Sequence, residues 1–270
     1  MTRDIKFSGN KPMSPPGAKA GPPLRAVAAP PPAWAAPGHV ASAEHCSTCD
    51  IRHLSICSAL ETDELANLEA IVSGVVIPSG KLLFDEGDKA EHVYNVTRGT
   101  IRLFKALPDG RRQITGFLLP GDFLGLSARD GYAYSAEAVN DTELCRFPIR
   151  DLKHLFDRFP KLEARLLEVT GDELAAAQDQ MLLLGRKTPV EKICSFLLNL
   201  SRRAERWSQP TSPVVLPMSR GDIADYLGLT VETVSRTFTK LKGEGAIELP
   251  ESSRVILADI ERLEELAAGD

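Results

Sequence analysis

The chain has 270 residues, of which 43% are hydrophobic and 26% are charged, and its formal net charge is −5. These values are typical of a globular protein with one large domain or two ordinary ones. No apolar run approaches the roughly 18 residues needed to cross a bilayer, and the N-terminus has no signal-peptide core, so we expect a cytoplasmic protein with no membrane partner. An odd number of cysteines, five, argues against a disulfide framework.

Residues 1–44 form a segment rich in proline and alanine, with nine prolines and ten alanines. Such a composition cannot bury enough apolar surface to offset the entropy lost on ordering. The sequence therefore predicts a disordered tail.

The stretch HCSTCDIRHLSIC at 45–57 brings together Cys46, Cys49 and Cys57, while Cys145 and Cys194 lie far along the chain. Clustered thiolates suit zinc or an iron–sulfur cluster, and the spacing alone leaves these two alternatives equal. A strand cysteine beside Phe147, such as Cys145, is more often a buried core thiol. Cys194 lies among apolar residues in EKICSFLLNL, and we expect it to be packed in a core.

From about Gly74 to Phe147, short β-rich runs alternate with turn signals such as PSG, RGT and PDG. This pattern predicts a β-barrel or jelly roll. Jelly rolls can hold metal oxygenases, but those need a cluster of histidines on the strands. The histidines here are scattered, so we do not expect an enzyme; they are His39, His45, His53, His92 and His154.

A helix is predicted from Pro160 to about Leu184, with a heptad seam of about three repeats along it. The seam consists of Leu167, Thr170, Leu174, Ala177, Met181 and Leu184. The same helix carries several acidic residues, which would repel in a pair of copies. The pattern fits either a helix packed on the barrel or a marginal dimer seam that can be switched.

The balance of charge turns basic from Arg186 to Ala246, with ten Lys or Arg against six Asp or Glu. Within it, SRGDIADYLGLTVETVSRTFTKLKGEG at 219–245 predicts two short helices. Ser219 and Asp222 would cap the first helix, and Gly228 would end it.

Thr230 would cap the second helix, which is predicted to reach about Lys242. The following segment AIELPESSRVILAD predicts a β-hairpin. Two helices joined by a tight glycine turn and followed by a hairpin are typical of a winged helix-turn-helix that binds DNA.

The second helix has two distinct faces. We expect an inward face of Val231, Val234, Phe238 and Leu241. The opposite face carries the candidate base contacts, which are Glu232, Ser235 and Arg236. Arginine can bind guanine through O6 and N7, and glutamate can accept from cytosine. The candidate phosphate contacts are Arg202, Arg203, Arg220, Thr230, Thr239 and Lys242. The alternative is a solvated face on which Glu232 and Arg236 pair with each other.

A β-barrel, a long helix and a winged helix-turn-helix, in that order, resemble the Crp/Fnr family of bacterial transcription regulators. RGDIADYLGLTVETVSR at 220–236 is similar to the recognition unit of the family, with its E-x-x-S-R core on Glu232, Ser235 and Arg236. GDKAEHVYNVTRGTIRLFK and RRQITGFLLPGDFLGL are similar to its sensor barrel. The resemblance covers about residues 45–260.

The resemblance implies an α+β fold in three parts after the tail. These are a cysteine loop and jelly-roll β-barrel of the cyclic-nucleotide-binding type at 45–157, a dimerisation helix at 158–185 and a winged helix-turn-helix at 186–270.

The cysteines resemble those of the oxygen-sensing Fnr/FnrL/FixK-like branch. The resemblance implies a [4Fe–4S] cluster on Cys46, Cys49, Cys57 and Cys145, although some members have five rather than seven residues between the second and third cysteines. It also implies a homodimer that acts mainly as an activator of anaerobic or microaerobic genes and binds a TTGAT-like inverted repeat. The alternative is a regulator of the same family that uses the cysteines for zinc or thiol-redox sensing.

Cyclic-AMP-binding members of the family carry a Gly-Glu pair and an Arg-Ser/Thr-Ala run. Here Asp122 replaces the glutamate, and Tyr134-Ser135-Ala136 supplies no arginine for the cyclic phosphate. We therefore expect no binding of a cyclic nucleotide. The turn at Leu107–Arg112 resembles barrel loops that contact RNA polymerase in the family, and a solvent-exposed turn without a partner is the alternative.

Overall fold

The computed structural model describes residues 46–127, 130–206 and 210–269. The predicted tail at 1–44 and His45 lie outside the described residues. None of the described helices is long and apolar enough to cross a membrane.

The first half of the chain forms the predicted barrel from two antiparallel four-stranded sheets. One sheet has the order β1-β8-β3-β6 and the other has the order β2-β7-β4-β5. The strands are β1 (Ser73–Ile77), β2 (Leu82–Phe84), β3 (His92–Arg98), β4 (Ile101–Ala106), β5 (Arg112–Leu118), β6 (Phe123–Leu124), β7 (Ser135–Ala138) and β8 (Thr142–Pro148). The two sheets enclose a core that includes Ile77, Val96 and Ile101, all with no exposed surface.

The turn between β3 and β4 depends on Gly99. Its φ is +84°, a conformation that disfavours any residue with a Cβ. A Cβ at this position would also lie 2.5 Å from the backbone oxygen of Asp141. The RGT turn signal therefore marks both a left-handed backbone and a close approach of two chain segments.

The segment before the barrel folds against its outer face. It consists of two short 3₁₀ helices, Cys46–Thr48 and Ile56–Ala59, and helix α1 (Leu65–Glu69). Ile56, Leu60 and Leu68 are almost completely buried, in one cluster with Phe147 of β8. This hydrophobic packing fixes the cysteine loop on the sheet that contains β8.

Two helices follow the barrel, α2 (Ile149–Arg158) and α3 (Pro160–Arg186). Proline at the first position of α3 suits a helix start, because its missing N–H would have no partner there. Only Leu162 and Leu166 of α3 are buried, in the same cluster as the cysteine loop. The 27 residues of α3 extend for roughly 40 Å at about 1.5 Å per residue.

The C-terminal part is the predicted winged helix-turn-helix. Its elements are α4 (Pro189–Arg206), β9 (Val214–Val215), α5 (Arg220–Leu227), α6 (Val231–Gly243), β10 (Ile247–Glu251), β11 (Arg254–Leu257) and α7 (Ile260–Ala268). Strand β9 joins the hairpin to give the sheet order β10-β11-β9. The sequence patterns did not predict β9 or α7, and α7 completes the core with Leu263 and Ala267.

The caps of the two short helices are confirmed. The Ser219 hydroxyl accepts from the Asp222 N–H at 3.1 Å, and the Asp222 carboxylate accepts from the Ser219 N–H at 3.0 Å. Gly228 is left-handed with a φ of +62°. The Thr230 hydroxyl accepts from the Thr233 N–H at 3.1 Å. The short-range spacing of polar side chains therefore sets where both helices begin.

The prediction that Val231 packs inward is wrong. Val234, Phe238 and Leu241 are buried, but Val231 is 51% exposed. Val231 is the first residue of α6, and the buried residues of the helix begin only at Val234, one turn later.

We expect Val234→Ala to lower the free energy of unfolding of the winged domain by about 2 kcal/mol, because it leaves a cavity in the core. Val231→Ala, the same change three residues earlier, should stay within about 0.5 kcal/mol because its side chain faces solvent. Urea denaturation followed by circular dichroism measures both. Equal losses for the two variants would contradict the assigned helix face.

Candidate DNA interface and cysteine cluster

Helix α6 presents a polar face to solvent. Glu232, Ser235, Arg236 and Thr239 are all exposed. The Arg236 guanidinium pairs with the Glu232 carboxylate at 2.5 Å, and their side chains are 77% and 70% exposed. An exposed pair of this kind contributes little stability, so the two side chains can separate and each can bind another group. This face can supply hydrogen-bond donors and acceptors to the edges of base pairs.

The predicted phosphate contacts divide into two groups. Arg202, Thr230, Thr239 and Lys242 are exposed. Arg203 and Arg220 are engaged within the chain.

Arg203 donates to the Phe117 backbone oxygen at 2.9 Å and forms an ion pair with Asp122, so its guanidinium is bound to the barrel. The guanidinium of Arg220 lies 3.5 Å from the centre of the Phe238 ring, and burial lowers its pKa. Both side chains are engaged within the chain, and their assignment to phosphate stays a prediction.

The predicted seam of α3 is an exposed apolar stripe in the single chain. Leu167 is 73% exposed, Leu174 is 59% exposed and Met181 is 67% exposed. Thr170 and Ala177 are also exposed, and the Thr170 hydroxyl donates to the Leu166 backbone oxygen at 2.8 Å. Large apolar side chains in a continuous exposed stripe mark a surface that binds a partner.

Leu184, the last seam residue, is only half-buried and lies against the helix-turn-helix. A Cβ at Gly228 would be 3.4 Å from its Cδ2 atom. The C-terminal end of α3 therefore contacts the turn between α5 and α6.

Three cysteines lie on the N-terminal loop and the fourth on β8. The Cys46 N–H donates to the Glu69 carboxylate at 2.9 Å, which fastens the start of the loop to α1. Cys145 of β8 lies opposite Gly74 in β1 and Asn95 in β3. Cys46, Cys49, Cys57 and Cys145 are all half-buried free thiols.

The thiols are close enough to influence one another electrostatically. Burial raises the pKa of the Cys145 thiol to about 12. Further contributions to this rise come from Cys57, Cys46 and Cys49. Burial also raises the pKa of Cys46 to about 12, followed by the effects of Cys57 and Glu69. The fold thus brings Cys145 into one region with the three loop cysteines.

The donor set fits a soft metal centre in its chemistry, because thiolates are the ligands of iron–sulfur clusters and of many zinc sites. Within the described ranges, however, no group of three or more His, Cys, Asp or Glu has the spacing that a single metal ion needs. His53 is exposed, and Cys194 is fully buried in the winged-helix core, as expected for a packed thiol.

Aromatic side chains fill part of the barrel interior. The rings of Phe84 and Tyr132 stack with centroids 3.7 Å apart, and Tyr94 lies 5.9 Å from Phe84. The Tyr132 hydroxyl donates to the His92 backbone oxygen at 2.8 Å. The Asp122 carboxylate pairs with Arg203 and accepts from the Leu119 N–H at 2.7 Å.

A polar junction between the barrel and α5 was missed by the sequence patterns. Arg102 of β4 and Arg112 of β5 bind Asp222 of α5. In the sequence, only the basic residues of the barrel hairpin could have indicated this junction, because their acidic partners lie more than 100 residues away.

These features define a regulator that joins a β-barrel to a winged helix-turn-helix for binding DNA. Residues 75–159 match the cyclic nucleotide-binding domain and residues 191–266 match the Crp-like helix-turn-helix domain. The chain is 45% identical over 224 residues to the nitrogen fixation regulation protein FixK of Bradyrhizobium diazoefficiens, a match covering 83% of this chain and 94% of the relative. It is 42% identical to the transcriptional activator protein FnrL of Cereibacter sphaeroides, covering 83% of this chain and 92% of that one.

A solved structure of FixK2 from Bradyrhizobium japonicum is also similar, with 37% identity and a TM-score of 0.69 over 73% of this chain and 97% of that one. The protein belongs to the Crp/Fnr family of transcription regulators. It is a DNA-binding regulator and not an enzyme.

The raised pKa values lead to a prediction for the metal-free protein. A pKa of about 12 leaves roughly one thiol in ten thousand ionised at pH 8 for Cys46 and Cys145. The low ionised fraction slows alkylation, and the greater nucleophilicity of a more basic thiolate offsets part of that loss. We therefore expect alkylation of both thiols by iodoacetamide to be about tens of fold slower in the folded protein than in urea. Peptide mass spectrometry over time measures both rates. Equal rates in the folded and unfolded protein would contradict the buried environment.

Proposed function

We propose that this protein is a homodimeric transcription activator of anaerobic or microaerobic genes whose DNA binding depends on an oxygen-labile [4Fe–4S] cluster held by Cys46, Cys49, Cys57 and Cys145. The observation that carries the proposal is that Cys145 of β8 packs against the same hydrophobic cluster as Cys46 and Cys57 of the loop. The names of the relatives, which include a transcriptional activator and a nitrogen fixation regulator, support activation as the output. A bound cluster would supply a redox-active centre that oxygen can attack.

The chain links the cysteine loop to the start of α3. Ile56 and Leu60, on either side of Cys57, pack in one cluster with Leu162 and Leu166 of α3. Lys161 at the beginning of α3 binds Glu64 at 2.5 Å, next to α1. A change in the position of the loop would therefore reach the first turns of α3 directly.

The exposed stripe on α3 is the proposed dimer seam. Its acidic neighbours, including Glu168 and Asp172, weaken the pairing of two copies, so a difference of a few kcal/mol would decide whether the dimer forms. In a two-fold dimer the recognition helices would lie one DNA turn apart, and the site would be an inverted repeat.

We propose that α6 reads a TTGAT-like half-site, with Arg236 on the guanine and Glu232 facing the cytosine of the complementary strand, while Ser235 contacts a neighbouring base. The exposed turn at Leu107–Arg112 is the proposed contact with RNA polymerase. Arg112 itself points towards α5, which leaves Leu107, Asp109 and Arg111 for such a contact.

We further propose that the barrel binds no cyclic nucleotide. The stacked rings of Phe84 and Tyr132 occupy interior space, and the Asp122 carboxylate is already paired with Arg203. An anionic ligand would meet carboxylates here rather than a free guanidinium.

Purification without oxygen tests the cluster. We expect brown protein containing iron and sulfide, with a broad visible band that bleaches in air. Cys145→Ala should be colourless and should lose anaerobic DNA binding, because one of four ligands is missing. Cys194→Ala is the matched control and should stay brown, since that thiol lies in another core.

Colourless wild-type protein with stoichiometric zinc would instead support the alternative of zinc or thiol sensing. A Cys145→Ala variant that keeps oxygen-sensitive activity would refute the ligand assignment.

Binding to a set of base-substituted duplexes tests the reading face. Arg236→Ala should cost about 1–3 kcal/mol and relax the preference at one base pair. Arg202→Ala, an exposed arginine of α4, should weaken binding to all sequences alike and reduce the salt slope by about 1. An Arg236→Ala variant with unchanged base preference would contradict the proposed role.

A further inference from the structure

Ion pairs connect the barrel hairpin to α5, the first helix of the helix-turn-helix. Arg102 Nη1 lies 2.7 Å from Asp222 Oδ1, and Arg112 Nη2 lies 3.0 Å from the same oxygen. Arg112 Nε binds Asp225 Oδ2 at 2.7 Å. Two arginines of one domain thus hold two carboxylates on one helix of the other.

These pairs are shielded from water to different degrees. The Asp222 side chain is 6% exposed and that of Arg102 is 15% exposed, whereas Arg112 and Asp225 are about one-third exposed, at 33% and 35%. Removing one partner of a shielded pair leaves the other charge without compensation. The shielded pair of Arg102 with Asp222 therefore favours one geometry of the junction. The pair of Arg112 with Asp225 is more exposed, so substitutions there carry the least risk to folding.

Side chains from three different elements bind the last carbonyl groups of α5, which have no partner within the helix. Gln113 of β5 donates to the Asp225 backbone oxygen at 2.7 Å. Gln180 of α3 donates to the Tyr226 backbone oxygen at 3.0 Å. Lys192 of α4 donates to the Leu227 backbone oxygen at 3.1 Å. The end of α5 is fixed at once to the barrel, to the seam helix and to its own domain.

The junction leaves the DNA-reading face uncovered. Glu232, Ser235 and Arg236 remain exposed on α6 while Asp222 and Asp225 bind the barrel. A contact that holds α5 without covering α6 cannot act by blocking DNA. What it can control is the direction in which α6 points relative to α3.

We propose that this junction is an orientation clamp that fixes the distance and angle between the two recognition helices of the dimer, and that Arg112 and Asp225 are positioning residues that set the spacing of the half-sites. The inference rests on the dimeric DNA binding in the proposed function. A rigid dimer accepts one spacing, because one added base pair displaces and rotates the second half-site. A dimer with loosely held domains accepts several spacings at lower affinity.

Selection from a DNA library with randomised half-sites and randomised spacing tests the clamp. The full-length protein, purified without oxygen, is compared with Arg112→Gln and Asp225→Asn. We expect the wild-type pool to have one spacing and both variant pools to have several, with the same half-site sequence throughout. Affinity for the wild-type repeat should fall about tenfold, while affinity for a single half-site should not change.

Arg111→Gln is the matched control, because this neighbouring arginine is 77% exposed and pairs only locally, with Asp109. It should keep the wild-type spacing. Variant pools that keep a single spacing would overturn the proposal, and so would tighter binding of the variants to the repeat or a wild-type pool without a fixed spacing. A fixed spacing with half-sites unlike TTGAT would contradict the proposed reading of DNA and leave the test of the clamp intact.

Discussion

Strand β5 belongs to two hydrophobic cores, and this sharing joins the barrel to the DNA-binding domain. Leu118 packs inside the barrel, whereas Ile114 and Phe117 pack with the winged helix-turn-helix. An irregularity in the pairing of β4 with β5, opposite Leu103 and Phe104, gives β5 one extra residue. The extra residue lets Ile114 and Phe117 point the same way, although side chains three apart in a regular strand point to opposite faces. The barrel therefore supports α5 through both apolar and ionic contacts.

The cysteine loop is likewise joined to α3 by a shared hydrophobic cluster. Ile56 and Leu68 are completely buried, so hydrophobic packing already holds the loop on the barrel and on the first turns of α3. The cysteines lie at the edge of this cluster, where burial and mutual proximity favour the protonated thiols. Binding of the proposed cluster would remove these protons. Any shift of the loop that accompanies it would reach α3 through the packing of Ile56 and Leu60 against Leu162 and Leu166.

Helix α3 connects the cysteine loop to α5 of the helix-turn-helix. Its N-terminal turns touch the cysteine loop, its exposed middle offers Leu174 and Met181 to a partner, and its last turns contact α5 through Gln180. In the proposed dimer, an apolar stripe among acidic residues would give a small pairing energy, which a modest change at either end of α3 would alter. The clamp on α5 would then convert pairing of α3 into a defined placement of α6.

The sequence by itself determined the local features: the capping box of Ser219, the glycine turn at Gly228, the order of the domains and the heptad stripe. These depend on side chains a few residues apart, whose spacing fixes their relation in any helix or turn. Only the tertiary structure decided that Cys145 packs against the same cluster as Cys46 and Cys57, that Arg203 binds the barrel and that Arg102 binds Asp222 across 120 residues. Such contacts depend on how sheets and helices pack, and many partners far along the chain satisfy the same local pattern. For the same reason the sequence assigned Val231 to the core, although it is exposed and the buried residues of α6 begin at Val234.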